Sequence, residues 1–315
     1  MSSTRFAIMS SLTDSAATLT ESMLDVAWRQ WSAIGGAAAN DRPAQSIVDP
    51  EALVLYTLSA MRQHQRLESI LFSWLEVNGE LLSVQRMRNL ATRFPAQVAN
   101  HLPAFARNAR SVAAHPKWTG LTDDTVATPS KPIELPELRR AMRAPLRQPC
   151  ALLLRLRLSM GVGVKADVLS VLMGQRESRS TVKEIVDFTG YTSVAVRSAL
   201  DSLTEAGFVD SRPGRPQSYS APRERWRELL GLSWLPTWKP WAQFFAFGLA
   251  IGDLVDQAAV REFSDYALRT KIREVVEAAP LLFGQLADSH PVHTADPELI
   301  APNSLSLLSV WAAAG

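Results

Sequence analysis

The stretch at residues 181–222 constrains the fold more than any other part of the chain, because signals for two helices and a hairpin follow one another there. Thr181 and Glu184 have the spacing of a capping box, which begins a helix. Gly190 ends that helix, since glycine readily adopts the positive φ needed at a helix C-terminus. Tyr191 follows at a position where a turn tucks one apolar group into the core. We therefore expect a short helix and then a tight turn.

A second helix is predicted at about residues 192–206, with Thr192 or Ser193 as its N-cap. Apolar residues recur at helical spacing along it and would form its buried face: Val196, Ala199, Leu200 and Leu203. Gly207 ends the helix, and a strand begins at Phe208.

A β-hairpin is predicted after this helix, with its tip at residues 211–216 and its second strand at 217–220. The tip reads Ser-Arg-Pro-Gly-Arg-Pro, and proline and glycine favour turns. Upstream, residues 165–175 place Val168, Leu169 and Leu172 on one helical face. This segment would complete a core of three helices.

These elements resemble the DNA-binding domain of bacterial winged helix-turn-helix transcription regulators of the GntR and MarR kind. The resemblance rests on residues 192–200, 203, 206–209 and 214–219, and it covers about residues 160–225. It implies that the second helix is a recognition helix that enters the major groove. It also implies that the hairpin, called the wing, lies on the DNA backbone or in the minor groove.

The resemblance further implies which side chains meet DNA. In these families the recognition helix contacts DNA through its first turn, here residues 192–194, and through an arginine one turn in, here Arg197. Two positions depart from the family pattern. Ser193 stands where GntR proteins often carry arginine, and Val194 replaces a small polar residue, so it offers only apolar contact, for example to a thymine methyl group.

In the wing, Arg212 and Arg215 would bind phosphate or enter a minor groove. The complete predicted DNA-binding set is Arg179, Thr181, Thr192, Ser193, Val194, Arg197, Ser198, Arg212, Arg215 and Gln217.

The charge distribution agrees with a phosphate-binding segment. The whole chain has a net charge of only +2. Residues 131–230 hold 17 basic and 11 acidic side chains, a net of +6, whereas the remainder holds 16 basic and 20 acidic, a net of −4. Positive charge is thus concentrated where the helix-turn-helix is predicted, as binding to nucleic acid requires.

The chain also carries features of a protein from a reducing compartment. Cys150 is the only cysteine, so no disulfide can form within one chain, and its apolar neighbours predict a small buried group. The first residues lack the pattern of a secretory signal peptide, and no apolar run reaches 18 residues. We therefore expect a cytoplasmic protein without membrane contact.

The predicted domain organisation is mainly α. A helical N-terminal domain would span residues 1–115, a Pro-rich linker 116–137, the winged helix-turn-helix domain 138–230 and a helical C-terminal domain 231–315. Within the first domain, a helix is predicted at 81–94, with Arg86, Arg88 and Arg93 on its polar, solvated side. The leucine-rich run at 152–158 predicts a buried helix or strand.

Catalytic and metal-binding patterns are weak in this sequence. It has no G-x-G-x-x-G, G-K-[ST], G-x-S-x-G or H-E-x-x-H motif. His290 and His293 form an H-x-x-H pair, but Pro291 between them argues against a helix that presents both rings. The tryptophans at 234, 238 and 241 are typical of a core or an interface, with an aromatic ligand pocket as the alternative. We predict no enzyme activity, no metal and no cofactor.

The sequence favours a transcription regulator that binds double-stranded DNA as a homodimer on two half-sites. A small-molecule effector or a protein partner would then shift the population of its DNA-binding state. The alternative hypothesis is an adaptor or antitoxin-like protein, in which the helical domains hold a partner and the winged helix is a scaffold.

Overall fold

The computed structural model describes residues 3–38, 42–113, 115–121, 142–175, 179–261, 263–289 and 302–315. This part of the chain is mainly α-helical and contains a small three-stranded antiparallel sheet. The expected mainly α class is therefore confirmed. His290 and His293 lie outside the described residues, as does most of the predicted linker.

Seven helices precede the sheet in the described part of the chain: α1 (Ser3–Ala33), α2 (Pro50–Ala60), α3 (Gln65–Asn78), α4 (Val84–Ala91), α5 (Ala96–Val112), α6 (Leu152–Met160) and α7 (Val164–Gly174). Short 3-10 turns occur at Gly79–Leu81, Pro116–Leu121 and Pro149–Ala151. The leucine-rich run predicted as a helix or strand is helical, since it forms most of α6.

The sheet and its helices follow as β1 (Ser180–Thr181), α8 (Val182–Thr189), α9 (Ser193–Glu205), β2 (Asp210–Arg212), β3 (Ser218–Ser220) and α10 (Arg223–Leu229). The C-terminal helices are α11 (Trp241–Val260), α12 (Asp265–Glu277), α13 (Pro280–Ser289) and α14 (Pro302–Ala313). Among these described helices, each is too short or too polar to traverse a bilayer.

The strands have the order β1-β3-β2, and both pairings are antiparallel. The sequence predicts a hairpin here, but with other bounds: its first strand was expected from Phe208 and its tip from residue 211, whereas β2 begins at Asp210 and includes Ser211 and Arg212. Strand β1 was not anticipated: Ser180 pairs with Tyr219, and Thr181 pairs with Ser218. A two-residue strand carries too little periodicity to be recognised, and it forms because the backbone entering α8 runs beside β3.

The chain divides into two compact units that differ from the predicted domains. The first contains residues 1–27, 93–95 and 240–315, and the second contains residues 28–92 and 96–239. The second unit thus joins the predicted N-terminal helices to the predicted winged segment. A backbone hydrogen bond makes part of this connection, because the N–H of Val48 donates to the Cys150 carbonyl at 2.9 Å.

The core of the second unit includes residues that the sequence placed in a linker. Trp118 is fully buried and meets Phe105 edge-on, with 5.7 Å between the ring centroids. Residues 116–121 are therefore packed as a 3-10 turn on α5 instead of extending away from it. Cys150 is buried as predicted, and burial raises the pKa of its thiol.

The first unit is built around α11. Trp241 packs against Phe244, Phe245 and Trp311, with ring centroids 5.4–6.3 Å apart. Residues 265–289 form two helices, because Pro280 begins α13. The Gln243 side-chain oxygen of α11 accepts hydrogen bonds from the first backbone N–H groups of α13.

Candidate nucleic-acid interface

Helix α8 begins with the capping box that its sequence predicts. Thr181 Oγ1 accepts a hydrogen bond from the Glu184 backbone N–H at 3.3 Å, and Glu184 Oε2 accepts one from the Thr181 backbone N–H at 2.7 Å. Gly190 follows α8 with φ of 76°, a left-handed conformation that glycine adopts without strain. The chain therefore turns sharply after α8, as expected.

Helix α9 buries the face that the sequence predicts and caps itself through Thr192. Thr192 Oγ1 accepts a hydrogen bond from the backbone N–H of Ala195 at 3.3 Å. The buried face comprises Val196, Ala199, Leu200 and Leu203. This face packs against α7 and α8, so three helices share one core. Such packing fixes which side of α9 remains free.

Five residues of the predicted DNA-binding set lie on the opposite face of α9 or at its N-cap, and all five are exposed: Thr192, Ser193, Val194, Arg197 and Ser198. The side chain of Val194 is 75% exposed, so no described neighbour accounts for an apolar residue at this position. Arg197 and Asp201 lie near the buried Tyr219, whose pKa is raised by burial and by the Asp201 charge, while the Arg197 charge acts to lower it. The outer face of α9 therefore borders the hairpin.

The hairpin presents its tip to solvent while its base is anchored. Arg212, Arg215 and Gln217 are exposed together with the intervening residues. At the base, Phe208 meets the ring of Trp226 edge-on, with 5.3 Å between centroids, and the Trp226 indole N–H donates to the Phe208 carbonyl at 3.1 Å. The two predicted wing arginines thus stand on a supported loop.

Arg179 is engaged within the sheet. Its guanidinium donates hydrogen bonds to the side-chain oxygens of Ser218 and Ser220 at 3.2 and 2.8 Å. It also donates to the backbone carbonyls of Asp210 and Ser218 at 2.8 and 3.1 Å. Arg179 therefore joins β2 to β3. The sequence predicts a DNA contact for Arg179 and gives no sign of this structural role.

The turn between α8 and α9 is held by side chains of α4. Arg86 Nε donates to the Thr189 carbonyl at 2.8 Å, and Asn89 Nδ2 donates to the Gly190 carbonyl at 3.0 Å. The side chain of Tyr191 is buried, as the sequence predicts, and its hydroxyl donates to Asp167 Oδ2 at 3.0 Å. Both backbone and side chain of the turn are thus bonded to the rest of the second unit.

Five charged side chains buried behind this turn form what we call the buried charge cluster: Asp49, Glu51, Arg86, Arg157 and Asp167. Arg86 bonds both carboxylate oxygens of Asp49 at 2.6 Å. Its Nη1 also bonds Glu51 Oε2 at 2.6 Å. The sequence placed Arg86 on a solvated helix face, and this is wrong because α2 supplies two carboxylates opposite it.

Arg157 completes the cluster from α6. Its guanidinium bonds both carboxylate oxygens of Asp167 at 2.7 Å and both of Glu51 at 2.6 and 3.0 Å. Its Nη1 also donates to the Leu81 carbonyl at 2.9 Å. Every part of this guanidinium is therefore paired, which is the condition under which a charge is tolerated in a protein interior.

These contacts control ionisation inside the cluster. Burial acts to raise the pKa of Glu51, but the charges of Arg157 and Arg86 outweigh it and lower that pKa to about 2. Burial acts to lower the pKa of both arginines, and the facing carboxylates raise it above its usual value. Burial and the Asp167 charge also raise the pKa of Tyr191. Glu51, Arg86 and Arg157 therefore remain charged, and Tyr191 remains neutral, at physiological pH.

Among the described residues, no group of three or more His, Cys, Asp or Glu side chains could hold a metal ion. An open cleft of about 220 Å³ in the first unit is lined mainly by α11 and the end of α12, and its lining includes Phe247, Arg93 and Glu274.

Comparison with protein-family models, curated proteins and solved structures finds no match to the chain.

Proposed function

We propose that the protein is a sequence-specific, double-stranded DNA-binding transcription regulator whose α7–α10 region is a winged helix-turn-helix. The observation that carries this proposal is the one-sided exposure of α9. Its apolar face is buried against α7 and α8, and the residues on its other face are exposed beside a hairpin with two exposed arginines. A helix presented in this way fits the major groove, which is about 12 Å wide in B-DNA.

The chemistry of the presented residues supports DNA over a general anion. We propose that exposed Arg197 reads a guanine edge with two hydrogen bonds and that exposed Val194 contacts a thymine methyl group. Arg212 and Arg215 supply positive charge at the wing for phosphate contacts. One arginine–guanine pair gives only about 1–3 kcal/mol of discrimination. We therefore propose a homodimer on two half-sites, since a second recognition helix doubles the bases that are read.

The first prediction separates base reading from phosphate binding. Arg197→Ala should reduce the preference for specific over unrelated DNA by about 5- to 150-fold, because it removes a base contact. Arg215→Ala should weaken binding to all duplexes and reduce the salt slope by about 1, because it removes a phosphate contact. Fluorescence anisotropy would measure both, with the DNA upstream of the gene and an unrelated duplex at low salt and at roughly 150 mM salt.

The control is Arg273→Ala, which removes the same charge from an exposed position on α12 in the other unit. Binding that survives the higher salt and is lost selectively in Arg197→Ala supports the proposal. Equal binding by wild type, Arg197→Ala and Arg215→Ala would refute it.

A second candidate function is protein interaction through the same helix, in contrast to the adaptor or antitoxin-like protein in which the winged helix is only a scaffold. The observation that favours it is the exposed side chain of Val194, an apolar group at the start of the presented face. No DNA binding by the wild-type protein at either salt concentration, together with a co-purifying protein that Val194→Asp releases, would favour this candidate over DNA binding.

A further inference from the structure

The turn before α9 is hydrogen-bonded to α4 through its backbone carbonyls. The carbonyls of Thr189 and Gly190 accept hydrogen bonds from Arg86 and Asn89 of α4. A turn that relied on its own helices would leave these carbonyls to solvent. Here a helix more than 90 residues earlier in the chain binds them.

Packing brings α4 into close contact at the same point. A Cβ atom added to Gly190 would lie 2.9 Å from Leu90 Cδ2, and Leu90 itself is fully buried. Real Cβ atoms essentially never lie within 3.0 Å of such a neighbour, so a side chain at position 190 would require the buried Leu90 to shift. The glycine therefore serves two purposes, because it allows both the left-handed turn and the approach of α4.

Helix α4 is itself fixed in place by the buried charge cluster. Arg86 joins α4 to Asp49 and Glu51 at the start of α2. At the N-terminus of α4, Ser83 Oγ accepts a hydrogen bond from the Arg86 backbone N–H at 3.2 Å and lies 3.2 Å from the Tyr191 hydroxyl. Helix α4 is thus bonded to the start of α2 through Arg86 and lies against the turn through Ser83.

We propose that α4 is the support that sets the orientation of α9, and that Asn89 is a positioning residue for recognition of DNA. The DNA part of this inference rests on the proposed function. Asn89 holds the carbonyl of Gly190, which lies three residues before Ser193 at the start of α9. Its side chain is oriented by Gln85, whose Nε2 donates to Asn89 Oδ1 at 2.9 Å.

Loss of the Asn89 contact should change the orientation of α9 and leave the charge of the DNA-binding surface unchanged. A two-bond contact between arginine and guanine depends on donor–acceptor distances near 2.9 Å and on nearly straight hydrogen bonds. Phosphate contacts tolerate small rotations better, because Coulomb attraction varies slowly with distance. A loosened turn should therefore reduce specific binding and leave non-specific binding nearly unchanged.

The test uses the full-length protein and the variant Asn89→Ala, which removes a half-buried side chain and leaves the charge cluster intact. Hydrogen exchange followed by mass spectrometry should show faster exchange of residues 188–194 in the variant. Affinity for the duplex upstream of the gene should fall about 3- to 10-fold, the loss expected for one neutral hydrogen bond. Affinity for an unrelated duplex and the salt slope should not change.

Arg88→Ala is the control, because it shortens an exposed side chain on the same helix and leaves the Asn89–Gly190 bond and the Gln85–Asn89 bond in place. Its exchange at 188–194 should equal that of wild type. Unchanged exchange in Asn89→Ala, or equal losses of specific and non-specific affinity, would overturn the inference. If wild type itself binds no DNA, the proposed function fails, and the exchange result alone then decides whether α4 supports the turn.

Discussion

Arg157 has almost no exposed surface, yet each nitrogen of its guanidinium has a partner. Removal of a guanidinium from water costs several kcal/mol, and the low-dielectric interior returns that energy only if the pairing is complete. Glu51 of α2 and Asp167 of α7 meet this condition, because their carboxylates together bond all three nitrogens of the Arg157 guanidinium. The residue thus holds three helices of the second unit together.

Arg157→Met should therefore be strongly destabilising even though methionine fills much of the same space. It would leave Glu51 and Asp167 short of a partner in the interior, and broken buried pairs cost about 3–5 kcal/mol. Urea unfolding followed by circular dichroism would measure the change in free energy of unfolding. Arg88→Met, at an exposed position on α4, is the control and should change it by less than about 0.5 kcal/mol. Equal effects of the two substitutions would contradict this account.

At the scale of elements, α8 and α9 end in the same way but in different surroundings. Gly190 follows α8 with φ of 76°, and Gly207 follows α9 with φ of 71°. The conformational cost of a side chain should therefore be similar at the two positions. The difference is steric, because Leu90 of α4 lies against Gly190, whereas nothing lies within 4 Å of a Cβ built at Gly207.

Comparison of the two glycines separates the steric cost of the contact with α4 from the conformational cost of a left-handed residue. Gly207→Ala should lower the free energy of unfolding by about 1–2 kcal/mol, the cost of a left-handed L-residue. Gly190→Ala should cost about 1–3 kcal/mol more, because the added methyl group overpacks the contact with Leu90. Thermal and urea unfolding of both variants would test this. A loss at Gly190 no larger than that at Gly207 would show that α4 yields without cost.

At the scale of the whole molecule, local signals in the sequence were sufficient for α8, α9 and the hairpin. The capping residue Thr181, the left-handed Gly190 and the buried face that includes Leu200 each depend on neighbours within one or two turns. The partners of Arg86 could not be predicted, because they lie 35 to 103 residues away and the helical periodicity of α4 is compatible with a solvated arginine. Which residues belong to each of the two units likewise depends on contacts between residues that are far apart in the sequence.

The buried charge cluster should also determine how the second unit responds to acid. The pKa of Glu51 is lowered from its ordinary 4.5 to about 2, because the charges of Arg157 and Arg86 outweigh the effect of burial. Between these values the unfolded chain binds more protons than the folded chain. The stabilisation is therefore complete above pH 4.5 and is lost as the pH falls toward 2, by about 3 kcal/mol in total.

Glu51→Gln tests this dependence because glutamine does not titrate. The variant should be less stable than wild type at neutral pH, since Arg157 and Arg86 lose a charged partner. It should then lose less stability than wild type on acidification, so the two curves of unfolding free energy against pH converge below about pH 4. Glu80→Gln, which removes an exposed carboxylate, should run parallel to wild type. Parallel curves for Glu51→Gln and wild type would mean that Glu51 does not control the acid response, and the dependence would then have to arise elsewhere in the unit.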